Sequence, residues 1–522
     1  MKTWLGFIVG LGGVAASFLA VACSDDSSGT CEGATCSAPP DDDDAGDGDG
    51  DGGLAADGDA PDGDLAVPGG CDLTKSPKDS LSCLADSVGV FVAPSGDDAN
   101  NGTKSAPVQS VAKAVELLGQ RRRIYMCEGT YDAVSLTTNV DIYGGFSCTD
   151  WSYTGNRAKV EAAVGAIALV ATGVAEGTIE DLDFESADAT ASGASSVAGF
   201  LVGSTLTFRR TGFSAGSGRA GSDQPQSGGT FSPATTIAGG AGRVNAAGPP
   251  VANPLCAISI GGAGGVPADE GEPGESGEPL IEPSVPAFAT GEGGEAATSE
   301  SAAPGSNGRA GGAGPGALKH GTLTTGGWAP EPGKAGGVGG HAQGGGGGGS
   351  ADALAGGGGG GGGGPGGCGG AGGAGGGGGG SSIALLLVGS TVQLEDSSLL
   401  AKSGGRGGSG GAGQTGQLGG AAGPISSGAG LRGASGGAGG SGGGGGGGAG
   451  GLSVGIMWTG SVAPRLEGAA VEDEPSHASV TLGAVGAVGP KGPGGTAAGA
   501  NALAGNPGVD GVVGIAQAIL KL

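Results

Sequence analysis

The sequence predicts an all-β fold of stacked rungs interrupted by long glycine-rich insertions, and three observations predict it. The stretch SSVAGFLVGSTLTFRR (Ser195–Arg210) aligns without a gap to SSIALLLVGSTVQLED (Ser381–Asp396). A six-residue phrase with apolar ends recurs as IEDLDF (Ile179–Phe184), FRRTGF (Phe208–Phe213), LEDSSL (Leu394–Leu399) and LEGAAV (Leu466–Val471). Of 522 residues, 132 are Gly and only 3% are aromatic. Glycine has no side chain to bury and loses the most backbone freedom on folding, so a core must be confined to a minority of segments. A single rung cannot bury its inward residues alone, and stacking equivalent rungs makes one continuous core. On this reading the repeated phrase is a repeated rung. The glycine-rich text leaves the stack at a turn and returns to it.

The chain opens with MKTWLGFIVGLGGVAASFLAVAC, in which Lys2 precedes an apolar stretch ending in Ala20-Val21-Ala22 before Cys23. This resembles a bacterial lipoprotein signal: residues 1–22 are removed and Cys23 is lipidated, although Ala20 stands where Leu is usual. An uncleaved membrane helix is the alternative. Residues 23–70 follow as an acidic tether containing DDDDAGDGDGDGG. Asp47, Asp49 and Asp51 match the first half of a calcium loop, but Gly58 stands where the bidentate Glu is needed. A self-repelling, solvated spacer is therefore expected, with weak calcium binding as the alternative and no other cofactor.

Residues 71–221 carry the first rungs. Strands are expected at Val90–Val92, Ile124–Met126, Val134–Leu136 and Val140–Tyr143, each closed by a Gly or polar turn. Between the first two, Val111, Ala114, Val115 and Leu118 share one face of a short helix. The helix is preceded by the phrase Val92, Pro94, Gly96, Asp98, Gly102, Thr103 and Pro107, and followed by a turn at Gly129-Thr130-Tyr131. This arrangement resembles the capping segment of right-handed parallel β-helix proteins of the pectate-lyase-like superfamily, a cap also found in a family of unknown function. The resemblance spans roughly residues 88–215 and implies the fold. It implies activity far less, because one fold hosts many functions.

If the recurring phrases are neighbours about 4.8 Å apart, the pairs after the first apolar residue form a column. They read Glu180-Asp181, Arg209-Arg210, Glu395-Asp396 and Glu467-Gly468, so the first three alternate in sign and attract. A structural ladder outweighs the catalytic alternative, a lyase site of carboxylates on calcium with an Arg or Lys base. Trp151 and Tyr153 are expected to close a turn beside Cys148.

Without Cys23, eight cysteines remain: Cys31, Cys36, Cys71, Cys83, Cys127, Cys148, Cys256 and Cys368. Export to an oxidising compartment allows up to four disulfides. Proximity favours Cys71–Cys83 and Cys127–Cys148, and no CxxC points to zinc or redox chemistry.

Further rungs are expected at 381–403 and 452–482, separated by insertions at 222–380 and 404–451 and followed by a glycine-rich segment at 483–522. Gly recurs at every third position from Gly404 to Gly419 and from Gly430 to Gly451. That period matches a polyproline II-type helix, which presents every third residue on one edge. Collagen is excluded, because proline is sparse and the runs are interrupted. The runs are similar to PGRS-type segments of bacterial surface proteins. For the triplet runs a packed bundle and disorder are equally supported, whereas the pure run around Gly356–Gly364 reads as a flexible linker.

The net charge of −27 argues against a nucleic-acid partner. His320, His341 and His477 are far apart and read as bystanders, and neither a phosphate loop nor a nucleophile elbow is present. The expectation is a lipid-anchored protein of the bacterial cell envelope, at the outer membrane or cell surface. Its expected role is structural or adhesive, with glycan or extracellular matrix as partners. The alternative is a carbohydrate-active enzyme, a lyase or hydrolase, as the superfamily resemblance implies.

Overall fold

The computed structural model describes residues 67–231, 237–268, 270–279, 293, 302–352, 357–426 and 430–522. Cys23, Cys31, Cys36, Asp47, Asp49 and Asp51 lie outside these residues, as does Gly356.

The described part is nearly all β, and its strands gather into three large parallel sheets. The first has the order Gly89–Val92, Arg123–Cys127, Asp141–Phe146, Gly177–Glu180, Thr205–Arg209, Thr391–Glu395, Arg465–Leu466 and Ala469–Ala470. The second runs Val134–Leu136, Leu169–Thr172, Ser196–Val202, Ser382–Val388, Ser453–Thr459 and Ala516–Lys521. The third runs Gly129–Tyr131, Ala158–Ala162, Leu182–Ser186, Gly212–Ala215, Ser398–Ala401 and Val480–Leu482. From Leu169 onward the chain visits the second, first and third sheets in turn, and then begins again.

The repeated phrases are direct neighbours. Val197 pairs with Ile383, Phe208 with Leu394 and Phe213 with Leu399, all in one register. Inward residues such as Ile179, Phe184, Phe208, Phe213, Leu394 and Leu399 form one buried core. The fourth phrase departs from this pattern. Leu466 pairs with Leu394, but the chain then turns back as an antiparallel hairpin, Arg465–Leu466 on Ala469–Ala470. The final strand, Ala516–Lys521, lies within a stretch that reads by composition as glycine-triplet text.

Second-sheet strands such as SIALLLV and SVGIMWT are almost wholly apolar because both faces are covered. Leu385, Leu387, Ile456 and Trp458 point into the main core, while Ile383, Leu386, Val454 and Met457 form a second cluster outside it. Leu323 and Trp328 cap that outer cluster from an antiparallel hairpin, Gly321–Thr324 and Gly327–Pro330, inside the first insertion.

At the other end, the helix Val111–Glu116 begins at Ser110, whose hydroxyl accepts from the Lys113 amide at 3.1 Å. Val111, Ala114 and Leu118 are buried as their spacing suggests. Among the described residues three disulfides are present: Cys71–Cys83, Cys127–Cys148 and Cys256–Cys368. The first two join the pairs that proximity singles out.

All long insertions leave from one kind of corner, between a third-sheet strand and the next second-sheet strand: 216–381, 402–452 and 483–515. Their described residues include extended segments that hydrogen-bond to one another at every third residue. Segment 436–451 donates from Gly442 and Gly445 to the 411–414 carbonyls, from Gly443 and Gly446 to 334–337, and from Gly444 and Gly447 to 506–509. It accepts from Gly373 and Gly376, from Gly311 and Gly314, and from Gly489 and Gly492. Six segments thus surround it. A Cβ at Gly443 would lie 1.8 Å from the Gly312 carbonyl, and one at Gly447 would lie 1.8 Å from the Gly489 carbonyl.

The pure run corrects the linker expectation. Gly360 and Gly363 donate to Gly265 and Gly262, Gly361 and Gly364 to Leu431 and Ala434, and Gly362 to Gly240. The run is unbroken glycine because neighbours approach on every side, and no row of residues is free to carry side chains.

Candidate functional site

The chemistry-bearing residues gather on the outer face of the first sheet, where the expected charge column forms. Its strands lie in the order Gly177–Glu180, Thr205–Arg209, Thr391–Glu395, so the repeating phrase stacks Glu180, Arg209 and Glu395. Arg209 Nε donates to Glu395 Oε2 at 2.7 Å and its Nη1 to Glu180 Oε1 at 3.2 Å. Arg210 donates to Glu180 at 2.7 Å and to both oxygens of Asp181 at 2.8 and 2.9 Å. Glu467 takes a different part, accepting from the Asp396 amide at 2.8 Å.

The corner residue of each phrase, Asp181, Arg210, Asp396 or Glu467, has φ between 48° and 58°. Side chains other than Gly and Asn/Asp adopt this left-handed conformation at some cost. The same turn recurs three times, at Asp181, Arg210 and Asp396, and aligns each corner with its neighbour, which spacing alone did not reveal; Glu467 belongs instead to the hairpin turn of the fourth phrase.

Beside the column lies a cleft of about 440 Å³. Its floor is the first sheet, with Arg123, Asp141, Tyr143, Thr178, Glu180 and Arg209, and one wall is the Leu73–Ser76 segment. That wall is held by Arg123 Nη2, which donates to the carbonyls of Leu73 and Lys75 at 2.6 and 3.0 Å, and by Ser76 Oγ, which donates to Glu180 Oε2 at 2.7 Å. The Cys71–Cys83 disulfide fixes the segment's start.

Burial raises the Asp141 carboxyl above the usual range, against the pull of the Thr178 amide and of Arg122 and Arg123. Burial also pushes the Tyr143 phenol up, and pushes Tyr125 up to about 12. The Glu395 carboxyl is lowered by its hydrogen bond from Arg209. Sequence reasoning missed this cleft because Leu73–Ser76, Arg123 and Asp141 share no local motif; the topology and a disulfide bring them together.

The remaining sequence-marked residues stay dispersed. Trp151 donates from its indole to the Lys104 carbonyl at 3.2 Å and packs edge-on against Phe91, while Tyr153 donates to Asp181 at 3.2 Å. Both turn residues therefore tie the cap to the sheet. Asp183 pairs with Arg157 at 3.0 Å. His320 lies 2.9 Å from the Val513 carbonyl, and His477 lies 2.9 Å from the Ser479 hydroxyl. His341 lies beside Cys256 and Cys368, with ligand atoms all within 4.8 Å, but the two sulfurs form a disulfide and leave no thiolate to bind a metal.

Among known proteins, a family model described as a protein of unknown function (DUF1565) matches residues 94–147. These residues hold the cap helix and the strands that lead into the cleft floor. No curated protein matches the chain. No solved structure matches it either.

Proposed function

We propose that this protein is a cell-envelope lipoprotein with a structural or adhesive role, tethered through Cys23 and displaying a rigid glycine-rich bundle from a right-handed parallel β-helix. The three parallel sheets, visited in rotation, are the faces of that helix, and the DUF1565 match falls on its cap. The insertions form a polyglycine II-like bundle, in keeping with their period of three.

One observation carries the role: segment 436–451 is enclosed by six others through a repeating hydrogen-bond lattice. Backbone groups satisfied in this way yield a stiff surface without a large apolar core. Such a body suits presentation to glycan or matrix better than it suits chemistry. The acidic 23–70 tether then spaces it from the membrane.

The test compares cells carrying the natural protein, a Cys23→Ala variant and a variant lacking 404–451, on immobilised glycans and matrix proteins. Adhesion lost in both variants, with the Cys23→Ala protein released from the membrane fraction, is the expected outcome. Unchanged adhesion in both removes the adhesive role.

The cleft favours a second reading, a carbohydrate-active enzyme, because it joins a raised carboxyl (Asp141) to arginines. Against it, Glu180 is committed to Arg209, Arg210 and Ser76. Incubation with acidic polysaccharides, with and without calcium, decides between the two: shortened or unsaturated products support the enzyme, and intact chains support the display role.

A further inference from the structure

Arg123 is a buried cation of the cleft floor, with Asp141 as its cross-strand neighbour. It is 4% exposed, and among the described residues it forms no ion pair. Its Nη2 is spent on the Leu73 and Lys75 carbonyls, its guanidinium carbon lies 5.1 Å from the Tyr143 ring centroid, and its Nη1 is buried without any partner. A buried donor without an acceptor costs roughly 1–3 kcal/mol, and more when it is charged. Such groups persist where something else supplies the acceptor.

The surroundings favour an anion. Lys75, Arg122 and Arg209 line the same cleft, in a chain whose net charge is −27. The carboxylates beside them are largely spoken for. Glu180 is neutralised by two arginines. Asp141 accepts from the Thr178 amide at 2.9 Å and is driven by burial toward its neutral form. Glu176, 76% exposed and 3.5 Å from Arg122 at the rim, and Asp72, 3.2 Å from Lys75, compete openly for cations.

We propose that the cleft between the Leu73–Ser76 segment and the outer face of the first sheet binds a small oxyanion, a carboxylate or phosphate group, with Arg123 as the central donor and Arg122 and Arg209 flanking it. The 440 Å³ volume suits a small ligand and not a polymer chain lying flat. Entry requires the Leu73–Ser76 wall to shift, because Nη1 is closed off from solvent while Nη2 holds that wall down. Binding therefore exchanges wall contacts for ligand contacts. This inference is independent of the display role.

The test is calorimetric titration of the detergent-solubilised full-length protein with inorganic phosphate and, separately, with acetate, in a non-coordinating zwitterionic buffer. One-to-one binding with a dissociation constant of about 1 mM or tighter is expected for at least one probe. Phosphate alone assigns a phosphate group, and acetate alone assigns a carboxylate. Arg123→Gln should abolish binding. Because that variant also frees the wall, two rim variants keep the test independent of folding. Arg122→Gln should weaken binding about threefold and Glu176→Gln should tighten it about threefold, the scale of one partly exposed charge. Absence of binding by both probes overturns the proposal, and so does binding that neither rim substitution changes.

Discussion

Arg210 is the residue on which the charge column turns, since it donates to both Asp181 and Glu180 while sitting at a left-handed corner. Arg210→Ala leaves two buried carboxylates short of their partner, and losing one partner of a buried pair costs about 3–5 kcal/mol. A corresponding drop in the urea midpoint is expected, with Lys78→Ala, a substitution at an exposed pair, changing it little.

Acid dependence at this face has two signs. The Glu395 carboxyl is lowered by Arg209, so its contribution is full above the unfolded value of about 4.3 and is lost as pH falls through the lower folded value. Asp141 is raised by burial, so folding is favoured below its unfolded value of about 3.9 and that advantage is lost as pH rises through the raised value. Asp141→Asn, which keeps an acceptor for the Thr178 amide, is therefore expected to raise the urea midpoint at pH 7 and to leave it unchanged near pH 3. The alternating charges of the column were legible, because the repeated phrases carry them at equal offsets. The left-handed corners were not, since Arg210 and Glu467 are not residues that announce such a turn.

Among the elements, glycine usage records how many neighbours a segment has. A helix with three residues per turn offers three rows. In 483–495 one row is glycine, from Gly483 through Gly486, Gly489 and Gly492 to Gly495, a second carries Val485, Val488 and Lys491, and the third Ala484, Ala487, Pro490 and Pro493. In 404–420 one row is all glycine, a second is glycine except for Gln414 and Gln417, and the third presents Arg406, Ser409, Ala412, Thr415 and Leu418. In 436–451 all three rows are Gly, Ala or Ser, as enclosure demands. Gly443→Ala is expected to loosen the bundle by about 3 kcal/mol or more, as overpacking in an interior that cannot yield. Leu418→Ser, at a 44% exposed position, should stay within about 0.5 kcal/mol. Limited proteolysis of the insertions distinguishes the two. The triplet period was visible in the sequence. The order of the pure run was not, because a flexible linker and a fully enclosed strand have the same local composition and differ only in partners distant along the chain.

At the scale of the whole described unit, insertions leaving successive rungs at one corner come out side by side, which lets segments far apart in sequence pack as neighbours. Cys256–Cys368 ties two such segments across a separation of 112 residues. Closing a loop of that size is worth about 4–5 kcal/mol in the chain-entropy picture. The double substitution Cys256→Ser/Cys368→Ser should therefore lower the unfolding midpoint of the insertions while leaving the parallel sheets intact by circular dichroism. The glycine-rich text is a hydrogen-bonded body and not a set of loops. Amide hydrogen exchange of peptides from 436–451 and 357–376, followed by mass spectrometry, is the decisive test. Protection for hours, comparable to that of the Ser382–Val388 strand, is the predicted result; complete exchange within seconds, as in an unstructured chain, would contradict it.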